Sequence, residues 1–280
     1  MRLAYRIVNV FTRGGPFTGN PLCVFEDGTG VEDAALQALA RQFNLSETTF
    51  ILPSDKATAR VRIFTPSYEM PFAGHPTLGT AHVVRALRGA GDAVTLEMPA
   101  GVIPVAAEGD RWTLSANAPR WRDVDMAPEE LARLLGLAPS DLAGRPLWVN
   151  AGKEQLVIPV ASADAVARAR PLPDIFARLR SEDGHGMAYV FHDGGDAAGT
   201  VTSRFFFPSA GAVLEDPATG SACANLGGWF AATRPGADVT RVVSQGDAVA
   251  RPSTLHLSVA AGAIRVGGRV FELGRGTVDL

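Results

Sequence analysis

The chain has 280 residues, 46% of them hydrophobic and 20% charged, with a net charge of −3. That length suits two domains of roughly 100–150 residues each, and the composition is that of an ordinary soluble globular protein. Interspersed, nearly balanced charge gives no footing to nucleic acid or an anionic membrane, and no apolar run approaches the roughly 20 residues that span a bilayer.

The N-terminal residues 1–11 have no apolar h-region or small-residue cleavage site, so residues 3–11 read as a first strand rather than a secretory signal. Two cysteines, Cys23 and Cys223, make neither a disulfide framework nor a four-ligand zinc site, and the cytoplasm is the expected compartment. The glycine-rich stretch 12–19 precedes Asn20-Pro21, and a strand resumes over 22–25. Thr29-x-x-Glu32 has the form of a capping box ahead of a helix whose apolar face is Val31, Ala35, Leu36, Leu39, Ala40 and Phe43. That helix stops at Asn44, and Glu47 lies between it and the β-rich run 48–52. Strands are expected at 59–64, 93–97, 102–106 and 111–115. Pro76 suits the first position of a helix over 76–88, where its missing N–H has no partner to lose.

Residues 117–128, with two prolines and mixed charge, read as a linker before a helix over 129–135. The second half then offers strands near 146–150 and 155–160, helices near 162–169 and 173–181, and strands at 187–192 and 200–207. A helix over 221–232 is apolar nearly all round, which suits burial inside a sheet. Strands near 255–259, 263–267 and 269–273 close the chain.

One pattern occurs twice. Arg62-x-Phe64-x-Pro66 runs on to Pro71-x-x-Gly74 and a helix, and Arg204-x-Phe206-x-Pro208 runs on to Pro217-x-x-Gly220 and a helix. A glycine turn opening a helix offers unpaired backbone N–H groups and the positive end of the helix dipole, where a carboxylate or phosphate binds well. The plainer reading is that Gly74 and Gly220 merely permit tight turns; repetition weakens it. Neither copy is a phosphate loop or a dinucleotide fingerprint. Two such helix ends facing one cleft would hold a small anion.

Three polar residues near these turns are candidates for chemistry. His75 sits at a helix N-terminal edge, where the dipole disfavours its protonated form; the alternative is a capping or core histidine. Asp216 precedes Pro217, and its alternative role is an N-cap or turn residue. Glu47 could be a solvated loop glutamate, but in an apolar cleft desolvation would raise its pKa toward neutrality and fit it to take and return a proton. His82 and His256 read as structural, and His185 and His192 as exposed. No cluster of side chains has metal-ligand spacing. Cys223 reads as a small core residue, with a reactive thiol as the alternative, and Cys23 as core.

Four segments together resemble the PhzF-like phenazine-biosynthesis family. They are Asn9–Phe11 with Gly19-Asn20-Pro21, Asn44-Leu45-Ser46-Glu47, Phe64-Thr65-Pro66 through Glu69-x-Pro71-Phe72-Ala73-Gly74-His75-Pro76, and Glu215-Asp216-Pro217-Ala218-Thr219-Gly220-Ser221-Ala222. Gln245-Gly246 with Arg251-Pro252-Ser253 fits the family's closing motif.

The resemblance implies an α+β, diaminopimelate-epimerase-like fold: two pseudo-repeated domains, each a curved mixed sheet around a central helix, with the site in the cleft between them. It implies domains at 1–117 plus about 265–280 and at 118–264, because the last strands return to the first domain, and a homodimer. It also implies a cofactor-free isomerase that moves a proton on a cyclic amino or hydroxy acid. Glu47 would be the proton shuttle, His75 and Asp216 would orient the substrate, and Ser46, Gly74, Gly220 and Ser221 would hold its carboxylate. The two helix-end positions that carry cysteines in related epimerases are here Gly74-His75 and Gly220-Ser221. A ligand- or partner-binding member without activity, and a Cys223-dependent epimerase, are the competing expectations.

Overall fold

The computed structural model describes residues 1–184, 186–209 and 211–280. By internal contacts the chain divides into two compact units, residues 1–115 with 267–280, and residues 116–266.

The first unit contains β1 (Arg2–Val10), β2 (Asn20–Phe25), α1 (Asp33–Phe43), β3 (Glu47–Leu52), β4 (Ala59–Phe64), β5 (Glu69–Met70), α2 (Gly74–Arg88), β6 (Ala93–Met98), β7 (Gly101–Glu108) and β8 (Arg111–Ser115). The second contains β9 (Arg120–Asp123), α3 (Pro128–Leu134), β10 (Leu147–Asn150), β11 (Glu154–Pro159), α4 (Ala163–Arg168), α5 (Pro173–Phe176), β12 (Ala188–Asp193), β13 (Thr200–Ser209), β14 (Ala212–Asp216), α6 (Gly220–Thr233), β15 (Val239–Gln245) and β16 (Ser253–Ala260). The last strand, β17 (Ala263–Asp279), begins in the second unit, and its residues 267–279 belong to the first.

In the first unit the pairings close on themselves. β1 pairs antiparallel with both β17 and β2, β2 runs parallel to β3, and β3 is antiparallel to β4. β4 is parallel to β6, β6 and β7 form a hairpin, β7 pairs with β8, and β8 returns to β17. The result is a mixed barrel with α2 packed against its strands from within. A helix enclosed this way must be thin and uncharged along its inner length, and residues 75–81 of α2 are all buried. Gly79 shows how little room there is: a Cβ there would lie 2.7 Å from Leu22 Cδ2 and 2.9 Å from Val10 Cγ2. On the outer side of the sheet α1 covers a second core of Leu3, Phe25, Leu36, Leu39, Phe50 and Phe64, in which the Phe25 and Phe50 rings stack at 4.8 Å.

The second unit repeats the succession step for step. β10 is antiparallel to β11, β11 parallel to β12, β12 antiparallel to β13, β13 antiparallel to β14 but parallel to β15, and β15 antiparallel to β16. Here α6 is the enclosed helix, buried from Ala222 through Phe230 without a polar face, as its sequence led one to expect. Helices α3, α4 and α5 cover an outer core that includes Leu131, Leu156, Ile158, Val166, Phe176 and Phe206.

The repeat also extends to side chains that no linear pattern joins. Arg62 clasps Glu69 with two hydrogen bonds, Nε to Oε1 at 2.8 Å and Nη2 to Oε2 at 2.6 Å, and lies over the Phe64 ring at 5.0 Å. Arg204 clasps Glu215 in the same way, at 2.6 Å from Nη2 to Oε2, and lies over Phe206 at 4.8 Å. In both copies the phenylalanine and the glutamate stand opposite each other in the ladder. Each clasp closes the hairpin whose exit leads into the enclosed helix.

Several boundaries differ from the sequence expectations. Thr29 does not cap α1: the cap position is Glu32 with no side-chain bond, while the Thr29 N–H instead binds Asp27 Oδ1 at 2.8 Å. Helix α2 starts at Gly74, so Pro76 is its third residue rather than its first, a position whose N–H also lacks a helical partner. The expected linker contains β9, whose four residues are all exposed and which is held by pairing with β10 and by Arg122, bonded twice to Glu154 at 2.9 Å and stacked 4.8 Å over Trp148. The helix expected over 173–181 ends at Phe176, and the two closing strands are one. Strands β5, β14 and β15 were not anticipated. In β15 the inward positions Val239, Arg241, Val243 and Gln245 are half polar, which hid the alternation; Arg241 is buried there against Asp193 and Asp196.

Candidate active site

Glu47 opens β3 and shares a face with Thr49, because side chains alternate along a strand. Thr49 Oγ1 lies 2.8 Å from Thr80 Oγ1 of α2, so that face looks at the enclosed helix. The same face therefore carries Glu47 toward the N-terminus of α2, where His75 is the second residue. Their closest atoms, His75 Nε2 and Glu47 Oε2, are 3.4 Å apart, and the two side chains are only 7% and 16% exposed. Glu47 Oε2 is buried and accepts no hydrogen bond. Desolvation penalises the charged form, and it pushes the Glu47 carboxyl up from 4.5 to about 7, with a bond from neighbouring Ser46 offsetting part of the rise. Glu47 is thus not a solvated loop residue. Ser46 itself donates to Asn20 Oδ1 at 3.3 Å, which ties the β3 start to that of β2. Gly74 is the first residue of α2, and the Thr77 hydroxyl answers the Ala73 carbonyl at 2.7 Å.

The corresponding corner of the second unit is built differently. Asp216 ends β14, and the cap of α6 is Thr219 rather than Asp216. The Thr219 hydroxyl donates to Asp216 Oδ2, and Gln245 Nε2 donates to the Asp216 carbonyl at 2.8 Å and to Thr219 Oγ1 at 3.0 Å. Gly220 and Ser221 are the first two residues of α6, and Ser221 Oγ accepts from Gln155 Nε2 at 2.9 Å. Asn225, one turn further along, donates to Gln155 Oε1 at 2.8 Å.

The ladder also exposes an asymmetry. Thr48 stands opposite Phe64, and Ala188 opposite Phe206, so the place of Glu47 in the first copy is taken by Met187 in the second. One copy carries a carboxyl with its pKa near neutrality at the sheet end; the other carries a thioether.

Sequence reasoning placed Gln245 in the closing motif without giving it a role, and missed Gln155 and Asn225. Asn225 stands four residues after Ser221 on one face of α6, a spacing that could have drawn notice. Gln155 is hidden in an apolar strand. Gly246, beside Gln245, adopts φ +84°, and a Cβ there would come within 2.3 Å of the Arg251 carbonyl oxygen and 2.4 Å of that of Pro217. Gly246→Ala should therefore cost about 2 kcal/mol or more, read from the shift in the urea unfolding midpoint. A change below a few tenths would show that this turn relaxes freely.

The remaining histidines and cysteines fall outside these corners. His82 Nδ1 accepts from Trp112 Nε1 at 3.3 Å, and burial lowers its pKa, as a structural histidine requires. His192 is half-buried, not exposed as expected, with Nδ1 3.1 Å from the Val160 carbonyl oxygen. The reading of His185 lies outside the described residues. Cys23 and Cys223 are fully buried, and burial pushes both thiols up, away from the thiolate. A Cys223-dependent epimerase needs a thiolate as its base, which burial disfavours at Cys223. Among the described residues no group of three His, Cys, Asp or Glu side chains could hold a metal, and no helix is long and apolar enough to cross a membrane.

Known proteins resemble this chain over nearly its whole length. A family profile described as phenazine biosynthesis-like protein (PhzC-PhzF) matches residues 8–272. An uncharacterised isomerase of Pasteurella multocida is 37% identical, the alignment covering 98% of this chain and 93% of that one. The trans-2,3-dihydro-3-hydroxyanthranilate isomerase of Pseudomonas fluorescens is 32% identical over 99% of each chain. The crystal structure of a Bacillus anthracis phenazine biosynthesis protein of the PhzF family superposes over 100% of both chains with a TM-score of 0.86 at 24% identity, which supports the fold. The chain belongs to the phenazine biosynthesis-like PhzF family and has its α+β, diaminopimelate-epimerase-like fold.

Proposed function

We propose that this protein is a cofactor-independent isomerase that moves a proton on a small carboxylate-bearing substrate, a cyclic amino or hydroxy acid, with Glu47 as the acid and base. The observation that carries this reading is Glu47 itself: a carboxyl whose Oε2 is buried without a hydrogen bond, 3.4 Å from His75 Nε2, with its pKa raised to about 7. Near neutral pH such a group is populated in both protonation states, as one residue that removes a proton and returns it must be. The carboxylate form would take a proton from a substrate carbon, leaving a neutral Glu47 carboxyl and an electron pair delocalised toward the substrate carboxyl. Return of that proton to a second carbon completes the isomerisation and restores the carboxylate. His75 and Asp216 are assigned to orienting the substrate. Ser46 and the helix-end groups at Gly74, Gly220 and Ser221 are assigned to its carboxylate and to the negative charge that develops on it. Two relatives named as isomerases agree with the reaction class. A ligand-binding member without activity would gain nothing from keeping a desolvated carboxyl beside His75.

The test is proton exchange. Wild-type protein incubated in D2O with trans-2,3-dihydro-3-hydroxyanthranilate, or with related cyclic amino acids, should place deuterium on carbon, as followed by NMR. Glu47→Gln should retain ligand binding and lose exchange by at least about 10³-fold. Exchange at the wild-type rate in the Gln variant would remove Glu47 from the mechanism.

A further inference from the structure

The hydrogen-bond chain behind Ser221 has a direction set by the backbone. Asn225 Oδ1 accepts from the Ala151 N–H at 2.8 Å, and Asn225 Nδ2 donates to the Lys153 carbonyl at 2.8 Å. A backbone N–H can only donate and a carbonyl can only accept, so the Asn225 amide has one possible orientation. Its second Nδ2 hydrogen meets Gln155 at 2.8 Å, so the Gln155 atom there must be Oε1. The other end of that amide, Nε2, then faces Ser221 Oγ at 2.9 Å and must donate. Asn225 is fully buried and Gln155 is 1% exposed, so water cannot substitute for either. The Ser221 oxygen is thereby committed as acceptor on its inner side, and its own hydrogen must point elsewhere.

We infer that Gln155 is a positioning residue: through the relay Asn225–Gln155–Ser221 it commits the single Ser221 hydroxyl hydrogen to a partner outside the relay at the start of α6, as a donor that favours an anionic oxygen over a neutral one. The inference rests on the proposed carboxylate-holding role of Ser221 and adds what enforces it. A serine free to rotate could spend its one hydrogen on Gln155 instead of a ligand. A serine that accepts from Gln155 keeps that hydrogen for an outside acceptor, and a carboxylate oxygen is a stronger acceptor than a neutral carbonyl.

Two measurements test this on the full-length protein. Neutron diffraction from crystals exchanged into D2O should show a Gln155 deuteron directed at Ser221 Oγ and the Ser221 deuteron directed away. A Ser221 deuteron pointing at Gln155 overturns the relay whatever the protein binds. Calorimetric titration with anthranilate and with its neutral amide, 2-aminobenzamide, reads the selectivity. Wild type should prefer the acid, and Ser221→Ala should lower that preference about tenfold. Gln155→Glu presents an acceptor where a donor stood, turns the hydroxyl inward, and should lower it at least as far. Gln155→Met, which adds no charge and guards against misfolding of the Glu variant, should lower it about threefold. In a Ser221→Ala background Gln155→Met should change it less than twofold, because Gln155 then has nothing to position. An undiminished effect there assigns Gln155 to the fold alone and overturns the inference. Equal wild-type affinity for acid and amide alongside the expected deuteron map refutes the carboxylate role of Ser221, and with it the selectivity, while the exchange test of Glu47 stands apart.

Discussion

Glu47→Gln should stabilise the protein in alkaline buffer by about 3 kcal/mol and leave its stability nearly unchanged in acid. The folded-state pKa of Glu47 is raised, from 4.5 to about 7, by burial. Below 4.5 the carboxyl is protonated whether the chain is folded or not, and glutamine is a close replacement for it. Between the two values unfolding releases a proton, so wild-type stability falls as pH rises. Above about 7 the native state carries the whole cost of a desolvated charge. Urea unfolding at pH 5 and pH 8 measures the difference, and an equal gain at both would show that Glu47 is not held against its charge. The same carboxyl should appear in catalysis as an ascending limb of kcat/KM near pH 7, since the base form must start the reaction. Stability withheld at this residue is the counterpart of its proposed function.

Breaking the Arg204–Glu215 clasp from one side should cost about 3–5 kcal/mol, among the largest single losses in the chain. The side chains are 9% and 7% exposed, so Arg204→Met or Glu215→Leu alone leaves a buried charge without its partner. Arg204 also donates to the Ala169 carbonyl at 2.6 Å, which links β13 to the end of α4. Replacing both residues together should recover much of the loss, because two apolar side chains need no solvation. The matching pair in the first unit is 19% and 32% exposed and should cost distinctly less to break. Chemical denaturation of wild type and these three variants decides the matter: a single-variant loss below about 1 kcal/mol would place the clasp with ordinary surface ion pairs. Since Glu215 precedes Asp216 directly, Glu215→Leu should also disturb the α6 start, whereas Arg204→Met with Glu215 intact should do so less.

Legibility followed the physics of each signal. Where apolar spacing matched an element's period, as at Leu36, Leu39 and Ala40 of α1 or through the apolar run of α6, the element was plain from the chain. Where polar residues occupied inward positions, as Arg241 and Gln245 do in β15, the alternation vanished, because partners from distant strands satisfy those groups. Strand β9 lies in the stretch read as linker for its two prolines and mixed charge; all four of its residues are exposed, and only its ladder with β10 makes it a strand.

The repeated Arg-x-Phe-x-Pro segment, the two Pro-x-x-Gly helix starts and the candidates Glu47, His75 and Asp216 were determined by the sequence alone, since each is a local pattern of residue types. Tertiary structure decided which of these residues share an environment. It brought Glu47 to His75 across 27 intervening residues and withdrew Oε2 from water. It paired each repeat arginine with a glutamate and set Met187 where the first copy has Glu47. Burial and hydrogen-bond direction depend on what the rest of the chain places around a group, and a pKa depends on both. For that reason the proposed proton carrier could be picked out from the chain, while its poise near neutrality belongs to the fold.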